Sequence, residues 1–202
     1  YHMVRCAVML GAADAEQMMF NYLEEYPSSV CSNNMRFMLA TYYCDNGYTF
    51  KAADEFERVE YKGLDAREKE RYDIRMGYLS FMDGDYDAAR EYFSKIAKHS
   101  EYYAHARYYL SYLSYADGDF EEAKRGFSEL ANHDTYRVII PYYLLQIEYR
   151  NANYDYVIEH GVALLDSANS AVRDDLVRII AESCFNKGDY AQTIRYISDY
   201  PA

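Results

Sequence analysis

The 202-residue chain has no tryptophan, only three prolines, nine glycines and four cysteines. So few helix breakers suit a mostly helical chain. The cysteines, Cys6, Cys31, Cys44 and Cys184, show no CxxC spacing, so neither a zinc site nor a redox pair is indicated. Cys6, Cys44 and Cys184 fall at inward-facing helical positions and are expected as small buried thiols. Lys and Arg are scarce beside Asp and Glu, 21 against 33, for a net charge of −12. That balance argues against nucleic acid or an anionic membrane surface as partner, since both demand clustered cations. No apolar run approaches the ~18 residues of a membrane span, and no basic-then-apolar leader opens the chain. Direct membrane insertion is therefore not expected. Because the chain begins at Tyr1 rather than Met, it reads as a piece of a longer protein, and its compartment stays open.

Catalytic and metal signatures are also missing. The five histidines, His2, His99, His105, His133 and His160, are scattered, and no pair has the HExxH spacing that sets two ligands on one helix face. There is no glycine-rich phosphate loop, GxSxG or motif-fixed Cys-His pair. Asp83-Gly-Asp-Tyr-Asp invites a calcium loop, but the sixth and twelfth positions would be Ala88 and Ser94 instead of Gly and Glu. The simpler reading makes Asp85 the cap of a following helix, with Asp119 and Asp189 in the same role. No cofactor, metal site or enzyme activity is expected.

What the chain does have is one phrase twice. Tyr78-Leu-Ser-Phe-Met-Asp-Gly-Asp-Tyr-Asp-Ala-Ala-Arg returns as Tyr112-Leu-Ser-Tyr-Ala-Asp-Gly-Asp-Phe-Glu-Glu-Ala-Lys. Gly84 and Gly118 stand 34 residues apart, and Leu79, Ala89 and Phe93 recur at the same offset as Leu113, Ala123 and Phe127. A self-match at this period marks a stacked helical repeat. Apolar spacing extends the frame in both directions. Helices are expected over 14–26, 33–46, 50–60, 65–83, 86–98, 102–117, 120–132, 136–151, 154–166, 170–186 and 190–198, after a helix tail in 1–12. They group into a single array with units of about 1–30, 31–64, 65–101, 102–135, 136–169 and 170–202. Gly47 to Gly84 spans 37 residues because Tyr61-Lys-Gly-Leu-Asp inserts three.

The chain resembles the tetratricopeptide repeat (TPR) family. Its first helices carry a small-residue position occupied by Ala40, Gly77, Ser111, Leu145 and Ala181. Its second helices carry Ala15, Ala52, Ala89 and Ala123, followed by Phe56, Phe93 and Phe127. The last two units depart, with Val157 or Ile158 and Gly161, then Thr193 and Ile197. The resemblance implies an all-α fold, a right-handed superhelical solenoid of antiparallel helix pairs with about five to six repeats. A looser likeness of Asn21-Tyr-Leu-Glu-Glu-Tyr-Pro-Ser-Ser and Pro141-Tyr-Tyr-Leu-Leu-Gln-Ile-Glu-Tyr to bacterial cell-envelope TPR proteins favours the periplasm or cell envelope.

In that family the first helices line a concave groove through their fifth, ninth and twelfth positions, which share one helix face. Here the fifth are Phe37, Ile74, Tyr108, Tyr142 and Arg178, and the ninth Thr41, Tyr78, Tyr112, Gln146 and Glu182. The twelfth are Cys44, Phe81, Tyr115, Tyr149 and Phe185. The Lys, Arg and Asn of a carboxylate clamp are almost absent. Tyr78, Tyr108, Tyr112, Tyr115, Tyr142 and Tyr149 form an aromatic stripe suited to an interface, although some of the 26 tyrosines must instead pack between units. The expected function is a non-catalytic scaffold that binds a protein or peptide in this groove. The alternative is a structural spacer or self-association segment of a long multi-repeat protein. Carbohydrate binding comes third, because tyrosine stacks on sugars but tryptophan is missing.

Overall fold

A computed structural model describes residues 1–165 and 170–199. Twelve α-helices and no strand occur among the described residues. They fall into two compact units, 1–106 and 107–202, each taken by itself. The first holds α1 (His2–Met9), α2 (Ala15–Glu25), α3 (Ser32–Asp45), α4 (Thr49–Glu57), α5 (Ala66–Asp83) and α6 (Tyr86–Ser94). Helix α7 (Tyr103–Ala116) contains the junction. The second unit continues with α8 (Phe120–Glu129), α9 (Ile140–Arg150), α10 (Tyr154–Leu165), α11 (Ser170–Asn186) and α12 (Tyr190–Asp199). The expected boundary at 169/170 and the expected helix end at Asp166 involve residues outside the described set.

Local chemistry sets the turns. Gly84 ends α5 at φ 84°, a left-handed conformation that side chains with a Cβ disfavour. Asp85 then accepts a hydrogen bond from the Ala88 amide at 3.0 Å, Asp119 from Glu122 at 3.1 Å and Asp189 from Gln192 at 3.0 Å. Each bond satisfies one amide that the helix start leaves unpaired. Ala152 holds the corresponding left-handed position at φ 57° without glycine. The residues inserted after Val59 form one 3₁₀ turn, Tyr61–Gly63.

The small-residue positions bring helices of a pair together. Ala40, Ala52, Ala89 and Ala123 are fully buried, and so are Phe56 and Phe127. A Cβ added to Gly77 would lie 2.7 Å from Phe93 Cδ1, so α5 and α6 meet through a contact that only glycine allows. Helices α4, α6 and α8 end by a shared device. The residue three after the aromatic, Val59, Ile96 or Leu130, is buried and donates its amide to the carbonyl of Phe56, Phe93 or Phe127 at 3.0–3.2 Å. This tightened last turn explains why α6 and α8 stop earlier than their apolar spacing suggested.

Two further expectations are corrected. Helix α9 starts at Ile140 rather than Tyr136, because Pro141 lacks an amide hydrogen and tolerates only the first helical turn. Cys6 is exposed and Cys44 half-buried, and only Cys184 is a buried thiol; all four are free. On α1, a short helix, Val4 is the buried residue and Cys6 faces out.

Candidate functional site

The stripe divides between the two units. In the first, Phe37 and Thr41 of α3 are buried in the core, and Ile74 and Phe81 of α5 are half-buried. Tyr78, on α5 between them, is 40% exposed.

In the second unit the structure brings together Tyr108, Tyr112, Tyr115, Tyr142 and Tyr149. The three- and four-residue spacing of Asp175, Arg178 and Glu182 places them on one face of α11, toward which α9 presents Tyr142, Gln146 and Tyr149. The Tyr115 hydroxyl donates to Gln146 Oε1. Gln146 Nε2 donates to the Tyr142 hydroxyl and, at 2.6 Å, to Asp175 Oδ2, which also accepts from Tyr142 at 2.9 Å. Arg178 Nε donates to Asp175 Oδ1 at 3.0 Å and its Nη1 to Glu182 at 3.2 Å. Glu182 accepts from Tyr149, above whose ring the Arg178 guanidinium sits at 6.0 Å. One chain of hydrogen bonds therefore runs from Tyr115 on α7 across α9 to α11.

The aromatic part of the face is anchored by Tyr143. Its ring stacks on Phe127 at 4.9 Å, and Tyr108, Tyr112 and Tyr115 meet it edge-on at about 6 Å. Tyr108 in turn stacks on Tyr136 at 4.6 Å. Several hydroxyls have raised pKa values: Tyr142 through burial and then its bond to Asp175, Tyr143 through burial and then Tyr108, Tyr149 through its bond to Glu182 and then burial. Burial pushes Asp175 up, but bonds from Arg178, Tyr142 and Gln146 outweigh it and leave the carboxyl below its ordinary value. At neutral pH Asp175 is thus a charged acceptor and the Tyr142, Tyr143 and Tyr149 hydroxyls stay protonated as donors, an arrangement that positions the rings.

Sequence reasoning missed Asp175 and Tyr143. The Asp175, Arg178, Glu182 spacing was a visible signal for the first. Nothing in the spacing distinguished Tyr143 from its neighbour Tyr142.

Farther along, α11 and α12 leave a groove of about 640 Å³. Val177, Ala181, Phe185, Thr193 and Ile197 line it, with Arg178 and Glu182 beside them. One repeat earlier the matching place, between Leu145, Val157 and Gly161, is filled: a Cβ on Gly161 would meet Ile180 Cγ1 at 2.8 Å. Among the described residues no group of three or more His, Cys, Asp or Glu side chains could hold a metal ion, and no helix is long and apolar enough to cross a membrane.

Comparison with known proteins adds two findings. A family model described as tetratricopeptide repeat matches residues 80–135, from late α5 to the loop between α8 and α9. Among solved structures the chain is similar to a Podosopora anserina kinesin light chain described as having nearly identical TPR-like repeats. The TM-score is 0.54 over 85% of this chain and 94% of that one, at 14% identity, a likeness of fold. Curated proteins give no match. Neither finding concerns bacterial cell-envelope proteins.

Proposed function

The chain is a tetratricopeptide-repeat protein, and from that premise we propose that it is a non-catalytic scaffold holding a partner peptide or protein along its first-helix face. Repeats of this kind generally serve as protein-interaction scaffolds. The observation that carries this reading is the hydrogen-bonded chain from Tyr115 to Tyr149. It holds half-buried rings in place before any partner arrives, and preorganised side chains lose less entropy on binding. Because several hydroxyls are already engaged within the chain, the partner meets mainly ring edges and the outer side of Arg178. Tyr78 offers the same chemistry in the first unit.

Affinity capture from a native lysate tests this, with the chain as bait beside a variant carrying Tyr78→Ala, Tyr112→Ala and Tyr149→Ala. A partner held by the first and lost by the second, at unchanged helicity, is the expected result. Equal capture by both refutes the groove.

A second reading is favoured by the α11–α12 groove, whose counterpart one repeat earlier is filled by a helix. In this reading the chain self-associates, or serves as a spacer within a longer array, through that groove. Phe185 and Ile197, 57% and 60% exposed, would be covered. Sedimentation across a dilution series separates the two: mass falling on dilution, and monomer throughout for Phe185→Ser with Ile197→Ser, supports self-association. A mass independent of dilution refutes it.

A further inference from the structure

We propose that the first unit carries a second docking site, a groove between α4 and the α5–α6 pair that takes a lysine-bearing apolar segment of a partner protein. The proposal is independent of the tyrosine face. The groove measures about 710 Å³. Phe50 and Ala53 of α4 form one wall, Met76, Leu79 and Met82 of α5 the other, and Tyr92 of α6 closes one side. Phe50 is 88% and Met82 59% exposed, an apolar display that ordinary solvated surface does not need.

All the charged groups lining this groove are acidic: Glu57, Asp83 and Asp85. Asp85 is engaged as the cap of α6. Glu57 and Asp83 pair with no cation among the described residues, whereas nearby Asp54 and Glu55 are held by Arg58 and Asp45 by Arg75. The nearest lysine to the closing ring, Lys95, lies 4.5 Å from the Tyr92 centroid and is bound to Glu91 at 2.9 Å. The groove therefore combines an apolar floor with uncompensated negative charge, which a neutral or acidic segment would leave unpaired and a basic one would neutralise.

The chain also contains an example of what fits there. In the repeat frame Ala52 corresponds to Ala123 and Gly77 to Leu145, so Ala53 corresponds to Lys124 and Ser80 to Glu148. In the second unit Lys124 Nζ lies 2.5 Å from Glu148 Oε1, closing the corresponding crevice with an ion pair whose acidic side chain is 9% exposed. In the first unit both members are replaced by small residues and the crevice stays open. A partner's lysine entering between Ala53 and Ser80 would occupy the place of Lys124, with Glu57 and Asp83 as acceptors and Phe50 and Met82 covering its apolar neighbours.

The test is fluorescence anisotropy with two labelled synthetic peptides, one alternating lysine with leucine and one alternating glutamate with leucine. The lysine peptide is expected to bind and the glutamate peptide not, with binding that weakens as salt rises. Glu57→Gln and Asp83→Asn should each weaken it by about two- to fivefold. Ala53→Lys with Ser80→Glu, which rebuilds the ion pair of the second unit, should abolish it at unchanged helicity, while Tyr112→Ala leaves it intact. No binding of the lysine peptide overturns the proposal. Equal weakening by Glu24→Gln with Glu159→Gln, two exposed acids outside the groove, overturns it too, since net charge alone would then account for the attraction.

Discussion

Gly77→Ala tests how tightly α5 and α6 are joined. Two effects oppose each other. Alanine is favoured over glycine inside a helix by about 1 kcal/mol, so an exposed site would gain. Here the new Cβ would stand 2.7 Å from both Cδ1 and Cε1 of Phe93 and 3.1 Å from Cζ. Carbon atoms prefer ~3.5–4.0 Å, so the ring must retreat by roughly 1 Å. Phe93 is 1% exposed, and a close-packed interior has little room for that movement. Overpacking of this kind costs about 1–3 kcal/mol, and the net expectation is a loss of ~1 kcal/mol. Urea and thermal melts followed by far-UV circular dichroism read it directly. A loss of ~1 kcal/mol lowers Tm by about 4–8 °C if the first unit melts alone and about 2–4 °C if the whole chain melts together. In a Phe93→Leu background the smaller side chain should relieve the clash, so Gly77→Ala should then cost less. Unchanged or raised stability in the single variant, or an identical cost in both backgrounds, refutes the reasoning.

Other perturbations separate backbone from charge effects. Gly84→Ala meets nothing within 4 Å at φ +84°, so its cost is the left-handed backbone alone, about 1–2 kcal/mol; Gly84→Asn should recover part of it in the same melts, and equal losses would refute that assignment. Asp73 is buried with Oδ1 unpaired and Oδ2 accepting from Tyr61, whose hydroxyl burial and that bond push up to about 12. Burial raises the Asp73 carboxyl above its ordinary value, against the pull of Tyr61 and Lys95. The folded state then holds this proton more tightly than the unfolded state, and stability falls as pH rises through the folded pKa. Asp73→Asn should therefore be more stable than the parent at neutral pH, with the advantage shrinking toward about pH 4; a constant difference would refute it. Asp175 has the opposite sign. Burial raises its pKa, but the bonds from Arg178, Tyr142 and Gln146 prevail and depress it, so its contribution is present above the ordinary carboxylate value and lost as pH falls through the folded one. Asp175→Asn should destabilise at neutral pH and match the parent in strong acid, and a loss independent of pH would show that charge is not involved.

The helix pairs and their turns were legible in the sequence because the forces that set them act over a few residues. A glycine that can turn left-handed, an aspartate that can cap the next helix and an alanine at the close approach sit within one phrase of each other, and the phrase repeats. Pro141 was legible in the same way, although its consequence for the start of α9 outweighed the apolar spacing that began at Tyr136. The candidate stripe was half legible. Spacing grouped Tyr108, Tyr112, Tyr115, Tyr142 and Tyr149 on one set of helix faces, but could not reveal that Tyr115, Tyr142 and Tyr149 bond to groups about one repeat away.

The sequence by itself determined the all-helical class, the period, the caps and the buried small residues, since each is carried by residue types and their spacing along the chain. Only the tertiary structure decided which tyrosine hydroxyls are engaged, that Cys6 faces outward, and which crevices stand open. Those outcomes depend on side chains some thirty residues apart meeting in space, as Lys124 meets Glu148 where Ala53 and Ser80 leave room for another molecule.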